Sequence, residues 1–409
     1  MRAGELDQVC RWVPKGHRFA AHLEPFRRVL GTWQQEGRLQ PRDGETMLTR
    51  TLLRASPDFD LKWIYKSVQF STEESFRAWT FLYRRERNET AIYEFPKDSK
   101  LRGLQEYLEP IRGRDQGEKV VQGIKVLRYV PRRRFTFFVS RGKNLRAPSG
   151  SIGKVVRPSE AERLYGRLGA LEEGMGSVRF GIARLLELDE KSNLFFQEKQ
   201  PGCELSKLIA TENLESLLRK AGEIHAEIHD LNLPRAHEWH SSAYFQRAEG
   251  DRQWVESFYP ERRALLYDAW KIWIKRAPAF PPDRFVVCHG DFRASHLLVG
   301  EQDRWSVVDF DGCLHADPCW DMAWFLSALR RDVPFIANAT VGPSVLERAE
   351  QSYLKGYQNV RGFSAPRLAW FRLAEEIHFL ARSFQRDLWD EAAVEQTLHR
   401  LRELTGNLQ

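Results

Sequence analysis

The stretch FVVCHGDFRASHLLVGEQDRWSVVDFDGCLHADPCWDMAWF, residues 285–325, constrains this chain more than any other part of it. Short apolar runs (FVV, LLV, WSVV) each lead into polar residues, so chargeable side chains collect at strand ends: Asp291, His296, Asp309 and Asp311. Carboxylates on loops between short strands can hold Mg²⁺ against phosphate oxygens, because a hard cation wants oxygen ligands and tolerates retained waters. A further carboxylate can orient a hydroxyl and accept its proton as it attacks phosphorus.

The flanking chain predicts where this segment sits. Residues 1–118 alternate strand-like runs (MLTRTLLRA, LKWIYKSVQF, TAIYEF) with helix-like ones (TEESFRAWTFLYRR, SKLRGLQEYL), which reads as an α+β appendage. From 119 to 200 short strands dominate: VQGIKVLRYV, RFTFFVS and SIGKVVR, a helix opened by Ser159, then RFGIARLLEL and NLFFQEKQ. Pro201-Gly202 marks a connector. Residues 201–409 are mainly helical, with helices expected over 212–230, 251–276, 344–359, 366–386 and 389–404 around short β runs at 285–310. The expected fold class is α+β, with a β-rich lobe, a hinge and a helical lobe.

His289-Gly290-Asp291 and the later Asp309-Phe310-Asp311 resemble the catalytic and metal motifs of the aminoglycoside phosphotransferase and choline kinase-like superfamily, which has a bilobal protein-kinase-like fold. The intervals match as well, five residues from Asp291 to position 296 and eighteen to Asp309. Ala316-Asp317-Pro318 followed by Asp321 resembles the family's Gly-Asp-Pro-x-x-Asp-Leu-Ala element. The resemblance implies ATP-dependent phosphoryl transfer to a hydroxyl of a small molecule, with Asp291 as catalytic base or orienting group. Asp309 is then the principal metal ligand, assisted by Asp311, while Asp317, Asp321 and His289 brace the site. One position departs from the pattern: the family's usual Asn is His296 here. Imidazole ligates Mg²⁺ poorly, so His296 acts through a water, or Mn²⁺ is favoured, or the site is weakened.

On the nucleotide side, the resemblance assigns the phosphate-binding lysine to Lys154 and its carboxylate partner to Glu162, in preference to Glu160 or Glu172. Between Lys119 and Arg157 there are eleven basic residues and no acidic one. Arg132 and Arg133, in the turn between the first two strands, occupy the place of the phosphate-covering loop, where guanidinium groups replace a glycine cradle. Gln197, Glu198 and Lys199 resemble the interlobe hinge that pairs with adenine. His225 and His229, four apart on the next helix, are read as a packed face. Acceptor-side candidates are Trp254, Glu256, Tyr259, Trp270, Trp273, Glu375 and Glu376, since the family's cationic acceptors are met by acidic and aromatic groups.

Composition limits the alternatives. No apolar run approaches the ~18–20 residues needed to span a bilayer, and the N-terminal residues lack the apolar core of a secretion signal, so the cytoplasm is expected and no membrane partner. Five sparse cysteines (Cys10, Cys203, Cys288, Cys313, Cys319) read as reduced thiols rather than a disulfide framework. Cysteines and histidines in the central segment could hold Zn²⁺, but no CxxC pair supports it. The net charge of +7 and the basic stretch raise nucleic-acid binding, which ranks below a nucleotide-binding pseudokinase that serves as an interaction module.

Overall fold

The computed structural model describes residues 24–408 except 38–43, 56–60, 73–75, 85–86, 88, 109–111, 116–117, 122–123, 140–147, 175–177, 209–212, 234–240, 280–284, 337–342 and 386–390. Cys10 and, from the basic stretch, Arg141, Lys143 and Arg146 lie outside the described residues. The chain divides into two compact units, one holding 1–163, 185–199 and 383–388 and the other 164–184, 200–382 and 389–409.

Among the described residues, the first unit opens with helix α1 (Glu24–Gln35) and an antiparallel sheet in the order β1 (Thr46–Ala55), β2 (Leu61–Ser71), β3 (Phe76–Arg84), β4 (Glu89–Glu94). Trp33 of α1 packs edge-on against Trp79 and Phe81 of β3. Within the segment TEESFRAWTFLYRR, expected to be helical, Phe76–Arg84 form this strand β3. Its residues are buried on both faces, and a strand covered on both sides shows a continuous apolar run that periodicity cannot separate from a helix. Helix α2 (Arg102–Leu108) and the hairpin β5 (Arg112–Asp115)–β6 (Glu118–Val121) follow.

A second sheet is built from β7 (Ile124–Val130), β8 (Arg134–Val139), β9 (Ser151–Val156), β11 (Leu185–Asp189) and β12 (Leu194–Glu198), in the order β11-β12-β9-β8-β7. Alternation along β8 sends Phe135, Phe137 and Val139 to the buried face. They join Phe76, Phe95, Leu101, Leu104 and Leu108 in one core, in which Phe76, Phe95, Tyr129 and Phe135 meet at centroid separations from 4.8 to 6.4 Å. Asp98 ties the β7–β8 turn to this core: its Oδ2 accepts the Tyr129 hydroxyl at 3.0 Å and the Arg132 N–H at 2.7 Å.

Helix α3 (Pro158–Gly174) leads into the second unit, which contains β10 (Gly181–Ile182), β13 (Cys203–Glu204) and the short helix α4 (Leu205–Leu208). Helices α5 (Leu214–His229), α6 (Ser241–Phe258) and α7 (Arg263–Arg276) come next. The single helix expected over 251–276 is two helices, because Pro260 lacks the N–H that continuation requires and starts a separate 3₁₀ turn. Strands β14 (Val286–Cys288), β15 (Leu297–Val299), β16 (Trp305–Val307) and β17 (Leu314–Ala316) form the block that carries the charged loops. They pair as β10-β16-β15-β13 and as β14-β17. Helices α8 (Pro318–Ile336), α9 (Pro343–Val360), α10 (Ala365–Gln385) and α11 (Glu391–Leu408) complete the unit.

Helices α5 and α9 approach closely through a reciprocal pair of glycines. A Cβ on Gly222 would lie 2.1 Å from the Tyr353 carbonyl oxygen, and one on Gly356 would lie 1.8 Å from that of Arg219. Among the described residues no helix is long and apolar enough to cross a membrane.

Candidate active site

Strand β14 ends at Cys288, and the chain turns through Gly290 at φ +77°, where a Cβ would also lie 2.3 Å from the Gly312 carbonyl oxygen. Only glycine meets both conditions. The turn is pinned from below by Asp321 in the first turn of α8: its Oδ2 accepts the His289 N–H at 2.7 Å and its Oδ1 accepts the Gly290 N–H at 3.1 Å. His289 folds over the loop, with Nε2 donating to the Val308 carbonyl at 3.0 Å and Nδ1 accepting the Asp291 N–H at 3.3 Å. Burial keeps His289 neutral, with its pKa below the usual histidine range.

Asp321 is itself fully buried and held by two histidines. His225 Nε2 donates to Oδ2 at 3.0 Å, and His229 Nε2 lies 3.5 Å from the same oxygen. Burial alone would raise the Asp321 pKa; contacts with His225 and His229 overcome it and hold the carboxyl well below its ordinary value. His225, desolvated and beside His229, is pushed down to about 4. Tyr353 and Tyr357, one turn apart on α9, place their hydroxyls 2.6 Å from Nδ1 of His225 and His229. The paired histidines are thus the packed face expected from sequence, and they belong to a ladder running from α9 through α5 to the loop of Asp291.

Asp291 Oδ1 receives three donors: Arg293 Nε at 2.9 Å, Arg293 Nη2 at 2.5 Å and the Trp324 indole N–H at 3.1 Å. Its side chain remains 28% exposed. Burial raises the Asp291 pKa, but Arg293 together with His296 and His289 outweighs it, leaving the carboxyl below its usual value. Neither Arg293 nor Trp324 was singled out from sequence. Arg293 could have been found as the first cation after Asp291, and Trp324 as a residue one turn along α8 from Asp321.

His296 and Asp309 stand beside Asp291. The two loops are joined by the Val308 N–H donating to the His296 carbonyl at 3.0 Å. His296 Nδ1 is 2.8 Å from the Asp291 backbone carbonyl, and its Nε2 is 3.6 Å from Asp309 Oδ2. Asp309 reaches this place from a left-handed backbone, φ +68°, a conformation Asp tolerates better than most residues. One ligand atom from each of Asp291, His296 and Asp309 lies within 4.8 Å of the others. Two carboxylates and an imidazole in this geometry fit a divalent cation. Asp311 is not a member of the cluster; its backbone carbonyl instead accepts Arg167 Nη1 at 2.6 Å.

Asp317, just before α8, accepts the Cys319 N–H at 2.9 Å and pairs with Arg367 at 2.8 Å. Cys288, Cys313 and Cys319 are buried free thiols, and among the described residues no metal-competent group includes a cysteine.

In the first unit, Lys154 is buried on β9 with its ammonium 5.9 Å from the centre of the Phe195 ring. Glu162 is exposed on α3 and forms no ion pair with Lys154, whereas Glu160 pairs with Arg157 at 2.7 Å. Arg132, at φ +63°, is half-buried and Arg133 exposed in the β7–β8 turn. Gln197 is buried on β12, Glu198 is half-buried, and Lys199 lies over the Phe138 ring at 4.6 Å.

The acceptor-side candidates are largely committed to packing. Glu256 pairs with Arg252 and Arg263, Glu375 with Arg247 and the Trp320 indole, and Glu376 with Arg400 and Ser327. Trp273 stacks on Trp370 in the core, centroids 4.9 Å apart.

A family model described as the phosphotransferase enzyme family matches residues 158–363, just over half of the chain. The chain belongs to this phosphotransferase family. Comparison with curated proteins finds no match. Among solved structures, the phosphotransferase resembles a thermostable mutant of aminoglycoside phosphotransferase APH(4)-Ia, at 15% identity and a TM-score of 0.50, covering 75% of this chain and 98% of that one. It also resembles amicoumacin kinase hAmiN in complex with AMP-PNP, Ca²⁺ and Ami (12% identity, TM-score 0.49, 73% and 91% covered). A third is choline kinase LicA from Streptococcus pneumoniae (14%, 0.46, 69% and 93%). At these identities the likeness bears on the fold, which is protein-kinase-like with an additional N-terminal α+β region.

Proposed function

We propose that this phosphotransferase moves the γ-phosphoryl group of ATP to a hydroxyl of a small molecule, with a divalent cation as cofactor. The observation that carries the reading is the convergence of Asp291, His296 and Asp309, each on its own loop position, with Asp291 oriented from one side only. Aminoglycoside and choline kinases among the structural neighbours supply the acceptor classes to try first.

Arg293 and Trp324 saturate Oδ1 of Asp291 and fix its rotamer, which leaves Oδ2 to accept the hydrogen of the acceptor hydroxyl. With its pKa held down by Arg293 and the neighbouring His296 and His289, Asp291 is a carboxylate at neutral pH and a weak base. Its contribution is to aim the oxygen at phosphorus and take the proton late, which suits the loose transition state of phosphoryl transfer. Asp309 and His296 would hold the cation, which would supply charge neutralisation for the phosphate groups. Lys154 supplies the cation for the nucleotide phosphates, and Gln197 to Lys199 the backbone that meets adenine. Asp311 and Glu162 have weaker claims, since neither carboxylate joins the groups assigned to it.

The test is transfer from labelled ATP, with Mg²⁺ or Mn²⁺, into a panel of aminoglycosides, amino alcohols, sugars and hydroxylated amino acids. Label in one acceptor, absent with Asp291→Ala, supports the reading. Metal-dependent nucleotide binding with no transfer to any acceptor favours a pseudokinase instead.

A further inference from the structure

The turn between β7 and β8 bears on what the region before residue 118 does for the nucleotide, an inference that rests on the phosphotransferase reading above. Val130 and Arg134 pair as the last rungs of the two strands, and the Arg133 N–H donates to the Val130 carbonyl at 3.0 Å. Residues 130–133 thus form a β-turn with Pro131 in its second place and a positive φ, +63°, at Arg132 in its third. That is the pattern of a type II turn, whose third place is ordinarily taken by glycine or asparagine. An arginine there holds a conformation that its Cβ disfavours, and such a residue persists only where its surroundings over-determine it.

Asp98, buried between β4 and α2, supplies that constraint. Its Oδ2 accepts the Arg132 N–H at 2.7 Å and the Tyr129 hydroxyl at 3.0 Å, and its Oδ1 accepts the Lys100 N–H at 2.9 Å. Each donor is a backbone N–H or the tyrosine hydroxyl, so the carboxylate fixes the turn without covering a guanidinium. Among the described residues the side chains of Arg132 and Arg133 form no hydrogen bond or ion pair. Two adjacent cations on a fixed turn, half-buried and exposed, suit an anion with several oxygens. We propose that Asp98 is a positioning residue for nucleotide binding: by holding the Arg132 N–H it locks the turn in the form that presents the Arg132 and Arg133 guanidinium groups to the phosphates of ATP. Guanidinium groups then do what backbone N–H groups do in a glycine-rich turn, and a carboxylate from the N-terminal region replaces the conformational freedom of glycine.

The experiment is calorimetric titration of the full chain with ATP and with adenosine, in Mg²⁺ or Mn²⁺. It compares the wild type with Asp98→Ala, Asp98→Asn, Arg132→Gly and the double variant Asp98→Ala/Arg132→Gly. Asp98→Ala should weaken ATP about five- to tenfold and leave adenosine within about twofold. Asp98→Asn, which can turn its one carbonyl oxygen towards Tyr129 and Arg132, should recover most of that loss. Beside Arg132→Gly the turn needs no clamp, so adding Asp98→Ala should then cost less than about twofold, whereas a merely structural role predicts the same loss in both backgrounds. An equal loss for ATP and adenosine, or an undiminished loss beside Arg132→Gly, overturns the proposal and leaves the phosphotransferase reading standing. Where Asp98→Ala does not fold, ¹⁵N-arginine resonances of the wild type decide: ATP and not adenosine should shift the Arg132 and Arg133 Nε–H signals, and unshifted signals overturn the proposal. A wild type that binds no ATP overturns both.

Discussion

Replacing Gly356 by Ala should destabilise the second unit, although the same change in a helix normally does the opposite. The added Cβ would sit 1.8 Å from the Arg219 carbonyl oxygen, so α5 and α9 must part by about 1.5 Å to restore ordinary contact. Overpacking of this kind costs about 1–3 kcal/mol. The same displacement stretches the 2.6 Å contacts of Tyr353 with His225 and of Tyr357 with His229, each worth about 1 kcal/mol. Against this stands a helix-propensity gain of about 1 kcal/mol. The net expectation is a loss of about 2–4 kcal/mol. Gly166, exposed on α3 with nothing within 4 Å of its would-be Cβ, is the control. There Ala should stabilise by about 0.5–1 kcal/mol. Urea unfolding followed by tryptophan fluorescence measures both, and the opposite signs remove any general effect of adding a methyl. A Gly356→Ala protein as stable as the wild type, with its tyrosine–histidine contacts intact, would refute the reasoning.

Three further outcomes are expected. Asp321→Ala removes the acceptor of two buried backbone N–H groups and of His225, so chemical unfolding should show a loss of about 3–5 kcal/mol, with phosphoryl transfer falling in the fraction that remains folded. His225 is neutral in the fold down to about pH 4 but takes a proton near 6.5 once unfolded. Its contribution is therefore complete above pH 6.5 and is lost as pH falls from 6.5 towards 4, by about 3 kcal/mol; a pH series of unfolding midpoints should decline over that window, and His225→Gln should flatten it. Trp324→Phe keeps the ring but frees one donor from Asp291 Oδ1, so kcat should drop severalfold with KM for ATP unchanged in steady-state assays; a change confined to KM would count against an orienting role.

How far the chain could be read before folding differed by region for physical reasons. The charged loops were legible because chain-local spacing fixes them: Asp291, His296 and Asp309 flank strands only three residues long, so their sequence intervals determine their meeting. Strand β3 was not legible, because burial on both faces erases the alternation that marks a strand. The division of 251–276 lay in Pro260, a signal present in the sequence but outweighed by apolar periodicity on either side. Partners that meet across many residues were out of reach: Trp324 finds Asp291 across thirty-three positions, and Tyr353 finds His225 across one hundred and twenty-eight. Even so, His225/His229 and Tyr353/Tyr357 share the four-residue interval of neighbouring helix turns, the trace that a paired ladder leaves in a single sequence.

The aromatic core of the first unit has an evolutionary corollary. Phe76 and Phe95 fill space against Tyr129 and Phe135, so the region before residue 118 and the five-stranded sheet are solvent-excluding partners rather than bead and string. A phosphotransferase lacking that region would present Tyr129 and Phe135 to water as a sticky patch, and selection would replace them with smaller or polar side chains. Aromatic residues at these two sheet positions are therefore expected in relatives that carry such a region and smaller or polar ones in relatives without it, which an alignment of the two groups would check.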